Sequence, residues 1–104
     1  MGWNVSHGSN QYGEERRSYT TVSNLSQHLE NCLSGSDWRK IKHLFGRSSG
    51  DPKSVGPREA GQIAAILRTA AHNRRMPADW GLEALAFASA ADRAHRAGQP
   101  WRWS

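Results

Sequence analysis

The chain has a single cysteine, Cys32, and no apolar run that approaches the ~20 residues of a membrane span. One thiol excludes an internal disulfide and fits a reducing compartment. The opening residues, Met1-Gly2-Trp3-Asn4-Val5-Ser6-His7, hold neither a basic stretch nor an apolar core, so no signal peptide is expected and a cytoplasmic setting is. On that expectation the sequons at Asn4 and Asn24 are chance matches. Large apolar side chains are also scarce. Only 37% of residues are hydrophobic, alanine supplies many of them, and there are two Phe and two Tyr. Acidic residues are the minority, 9 against 14 Lys plus Arg, for a net charge of +5. That excess attracts polyanions and says nothing about fold.

What is there fits one domain, residues 1–104, with room for one core and little for a deep catalytic cavity. Residues 1–17 are polar and rich in Gly, Ser and Asn, and carry no helical pattern. Trp3, Val5 and His7 alternate with Asn4 and Ser6, which suggests a short strand. Val22, Leu25, Leu29 and Cys32 are spaced for an amphipathic helix over about 19–33, ended by Gly35. Ser36 is the expected cap of a second helix, about 37–45, with Trp38, Ile41, Leu44 and Phe45 on one side. The Ser/Gly/Pro-rich stretch from Gly46 to Gly56 reads as a loop. Pro57 suits the first turn of a third helix, whose stripe is Ala60, Ile63, Ala64, Leu67, Ala70 and Ala71, with Arg74 and Arg75 in its last turn. A fourth helix runs over about 78–97 with Trp80, Ala84, Phe87, Ala88, Ala91 and Ala94 inward, and Gly98 ends it. The expected fold is therefore mainly α: a four-helix domain with an irregular N-terminal segment and a Trp-rich tail, whose termini could pair as two short strands.

Several motifs invite chemistry. The N-terminal segment gathers Ser6, His7, Tyr12 and Glu14 in a Gly-rich setting, and His titrates near neutrality. Trp3, Trp101 and Trp103 bring three of the five tryptophans to the chain ends. Together these seven residues form the candidate ligand or partner surface, against the plainer reading that the rings only close the helices. Gly46-Arg47-Ser48-Ser49-Gly50 matches the G-x-S-x-G pattern, but a nucleophile elbow needs a strand before it and a helix after it, and here the order is helix then loop. His28 and Cys32 share a helix face, yet zinc needs three or four ligands, so no metal site and no cofactor is assigned. Arg39, Lys40, Lys42 and Arg47 make a basic face on the second helix that could meet phosphates without reading sequence.

Taken whole, the chain resembles a group of small uncharacterised proteins common in Streptomyces and related actinobacteria. The carrying residues are Gly2-Trp3 with Ser6-His7-Gly8, Tyr12-Gly13-Glu14, Trp38-Arg39-Lys40-Ile41, Met76-Pro77-Ala78-Asp79-Trp80 and Pro100-Trp101-Arg102-Trp103. The resemblance implies a bacterial, cytoplasmic setting and carries no catalytic residue with it. The function expected is a non-enzymatic interaction module for a protein or other acidic partner, with no membrane role. The rivals are a small-molecule binder or minor enzyme at the His7, Tyr12, Glu14 segment beside Trp101 and Trp103, and a non-specific nucleic-acid binder using the second helix. Oligomeric state is left open.

Overall fold

A computed structural model describes residues 2–7, 10–46 and 52–104, and for 10–14 the backbone. It is not a mainly α bundle. Four helices pack against a four-stranded antiparallel sheet, so the domain is mixed α and β with the helices dominant. The chain runs β1 (Gly2–His7), β2 (Asn10–Ser18), α1 (Tyr19–Cys32), α2 (Gly35–Phe45), β3 (Lys53–Val55), α3 (Pro57–Ala71), α4 (Ala78–Ala97) and β4 (Trp101–Trp103). The strand order is β2-β1-β4-β3.

Two segments overturn the helical expectation. The N-terminal segment is a hairpin, with Trp3 opposite Arg17 and His7 opposite Asn10, and part of the expected 46–56 loop is β3. The termini do pair, but inside a larger sheet. His7 faces Trp101 and Val5 faces Trp103, and β4 then pairs with β3 through Val55 opposite Trp101. The C-terminal tail is thus an interior strand.

The helices form where the spacing of apolar residues put them, with shifted ends. Ser18 caps α1 by accepting from the Thr21 N–H at 3.1 Å, and Val22, Leu25 and Leu29 point inward. Gly35 does not end α1 but opens α2, whose cap is Ser34 rather than Ser36: its Oγ accepts from the Asp37 N–H at 3.1 Å. Only Ser34 stands at the right offset in extended backbone to reach that amide. α3 stops before Arg74 and Arg75, which lie in the turn beyond it. α4 ends at Gly98 in the left-handed conformation, φ 65°, which costs glycine nothing. α3 and α4 form the main helix pair. The buried face of α4 is largely alanine, Ala84, Ala88, Ala90, Ala91 and Ala94, and that of α3 mixes Ala60, Ala64 and Ala70 with Ile63, Ile66 and Leu67. Gly61 carries the same economy to its limit, since a Cβ there would lie 2.7 Å from the His95 ring.

The core sits between the helices and one sheet face. Trp103, fully buried, is its hub. It stacks on Phe87 at 5.3 Å, meets Phe45 edge-on at 5.0 Å, and touches Trp3 at 5.8 Å and Trp101 at 5.5 Å. Four large rings around one indole offset the small size of the alanine faces, because aromatic burial is worth more per residue than any other.

Candidate functional site

The pleat of β1 and β4 sorts the candidate residues. Side chains alternate across a strand, so Trp3, Val5 and His7 point to the helices with Trp101 and Trp103, while Asn4, Ser6 and Arg102 point away. Of the seven residues proposed as a surface, Trp3, His7, Trp101 and Trp103 come together, but inside: His7 is 5% exposed and the two C-terminal rings are fully buried. Ser6 lies on the opposite face. The side chains of Tyr12 and Glu14 fall outside the described residues.

The inner cluster has an unusual feature. His7 Nδ1, Trp101 Nε1 and Trp103 Nε1 are buried with no hydrogen-bond partner among the described residues. At its margin, Trp3 meets Tyr19 edge-on at 5.5 Å and the Lys53 ammonium at 5.3 Å. That ammonium also donates to the His43 carbonyl at 2.7 Å, at the end of α2, where a cation meets the negative end of the helix dipole. Burial pulls the Lys53 pKa below its ordinary value.

The outer face is polar and open. Across its middle, Ser6 of β1, Arg102 of β4 and Ser54 of β3 lie in one row. Asn4 forms the next row with Arg16 of β2 on one side, and on the other exchanges backbone hydrogen bonds of 2.8 Å with Ser104. Arg16, Ser54 and Arg102 are exposed, and Asn4 and Ser6 half-exposed. Arg102 forms no ion pair with any described residue. An open groove of ≈ 340 Å³ follows the β1–β2 end of this face, lined by Gly2, Trp3, Asn4, Arg16, Arg17 and Ser18. Arg17 is committed elsewhere: its Nε donates to Glu83 at 2.6 Å and its guanidinium reaches Glu15 at 3.3 Å. The hydrogen bond to Glu83 is the main reason its pKa is raised, against the pull of burial.

A second basic surface lies on α2. Arg39, Lys40 and Lys42 are exposed on α2, with Arg39 donating to the Gly35 carbonyl at 3.1 Å; Arg47 lies outside the described residues, as does the rest of the G-x-S-x-G stretch after Gly46. His28 and Cys32 have separate roles. The His28 ring lies over Trp80 at 5.4 Å, and burial pushes the half-buried Cys32 thiol up, with Arg75 opposing. Among the described residues no three His, Cys, Asp or Glu side chains are grouped to hold a metal. None of the helices among them is long and apolar enough to cross a membrane.

Sequence reasoning missed the outer row. The alternation turns Ser6 and Arg102 outward, but Ser54 had no signal, because β3 is three residues inside a loop-like composition.

The structure defines a small α and β domain with an aromatic core on one sheet face and an open polar row centred on Arg102 on the other. The chain belongs to the family described as domain of unknown function DUF7739, whose model matches residues 8–104. No curated protein and no solved structure matches it.

Proposed function

We propose that this domain is a non-enzymatic binding module whose open sheet face receives an acidic segment of a partner protein. The supporting observation is the Ser6–Arg102–Ser54 row. Arg102 offers a planar fork of donors suited to carboxylates, and serine hydroxyls on either side can donate to the same group. Ser6, Ser54 and Asn4 around Arg102 are short, so an extended chain can lie close to the sheet there. The net charge of +5 favours encounter with an acidic partner and makes it salt-sensitive. The lone Cys32 and the resemblance to actinobacterial proteins together suggest the cytoplasm of such a bacterium as the place to seek the partner.

The test is a binding titration of a fluorescent glutamate-rich peptide, beside single-stranded DNA of equal length. The expected result is saturable peptide binding that Arg102→Gln weakens about tenfold, the size of one lost charge-assisted hydrogen bond. Binding of DNA in preference to the peptide, lost on Lys40→Gln with Lys42→Gln and unaffected at Arg102, would move the function to α2 and overturn this reading.

A further inference from the structure

The three partnerless nitrogens lie on three neighbouring residues. His7 and Trp101 face each other across β1 and β4, and the Trp101 and Trp103 rings meet edge-on at 5.5 Å. All three residues are more than nine-tenths buried. Buried polar groups are almost always hydrogen-bonded, and an indole N–H left alone in a core is costly. All three belong to one cross-strand cluster on the inner face of β1 and β4.

The chemistry of the set is lopsided. Each indole Nε1–H can only donate, and a neutral imidazole brings one acceptor at most. Even if one indole were to reach His7, the other donor would stay unmet. The rings that surround Trp103, those of Trp3, Phe45 and Phe87, carry no acceptor oxygen. What the set lacks is an oxygen.

We infer that His7, Trp101 and Trp103 form an internal binding site for a small oxygen acceptor, with the two indoles as donors and the imidazole as the adaptable third partner. The site lies on the opposite side of the sheet from the Ser6–Arg102–Ser54 row and stands whether or not an acidic partner binds there. Two sources supply the same acceptor chemistry. A water molecule fits a small polar spot with two to four partners. A small carboxylate offers two oxygens to the two indoles.

Proton NMR of the ¹⁵N-labelled full chain separates them. The indole signals are assigned with Trp101→Phe and Trp103→Phe, and by contacts to the Arg102 amide should either variant fail to fold. Cross-peaks from both indole protons to a long-lived water, with no response to sodium acetate, assign the site to water. A saturable shift of both signals on adding acetate, which sodium chloride does not reproduce, assigns it to a carboxylate. Absence of both, or a shift that chloride reproduces in full, overturns the inference.

Discussion

The two faces of this sheet share the same strands and have nothing else in common. In β1, Trp3, Val5 and His7 are buried, while Asn4 and Ser6 between them stay half-exposed; in β4, Trp101 and Trp103 are buried and Arg102 between them is exposed. One face carries the stability of a chain poor in large aliphatic residues. The other carries charge and hydroxyls that the fold does not need. A period of two lets these eight residues serve both ends, because consecutive side chains never meet.

The largest break in this comparison is expected at Trp103. Trp103→Ala leaves a cavity among Phe45, Phe87, Trp3 and Trp101 and should cost ~3–5 kcal/mol, a large share of the ~5–15 kcal/mol such a domain possesses. Removing residues 100–104 is expected to abolish the cooperative thermal transition, since β4 joins β1 to β3. A truncated chain that melts within a few degrees of the intact one would contradict an interior β4.

Two adjacent substitutions sharpen the contrast. Val5→Asn puts an amide into the core and should cost about 3 kcal/mol, whereas Asn4→Val, one residue away on the open face, should fall within ~0.5 kcal/mol of wild type. Denaturant midpoints measure both. Equal losses would mean that the outer face is packed against something.

Away from the sheet the expected effects are smaller. Arg17→Met breaks a part-buried pair with Glu83 and should lower stability by about 1 kcal/mol, the upper range for exposed pairs. Because burial raises the Cys32 thiol pKa, its thiolate is scarcer than that of a free peptide at the same pH. Alkylation at pH 8 should therefore be slower in the folded protein than in urea, and should keep accelerating at higher pH after a model thiol has levelled off. Equal rates in both states would contradict the burial of Cys32.

The helices were legible because each buries an apolar stripe at the helical spacing, as Val22, Leu25 and Leu29 do in α1. Strands β1 and β4 were legible as alternation. β2 was not, and its chemistry explains why. Among its described side chains, those it turns toward α4 are charged: Arg17 pairs with Glu83, and Glu15 lies 3.8 Å from Arg93. An edge strand tied down by ion pairs carries no hydrophobic period to read. β3 was hidden by Lys53, which stands at an inward position but is satisfied by the end of α2 and the Trp3 ring, leaving Val55 as the one buried residue of the strand. The candidate site was legible to the same extent. The grouping of Trp3, His7, Trp101 and Trp103 followed from the alternation and the chain ends, whereas the outer row needed the β3–β4 register, which only the fold supplies.

The claim that the open face is the recognition surface is tested most directly by mapping where an acidic peptide lands. Backbone amide shifts of the full chain, recorded while a glutamate-rich peptide is added at low salt, should change most at Asn4, Ser6, Ser54 and Arg102, and Arg102→Gln should suppress those changes while moving the melting temperature by no more than a degree or two. Shifts centred on Arg39, Lys40 and Lys42 of α2, or an undiminished pattern in the Arg102 variant, would contradict it.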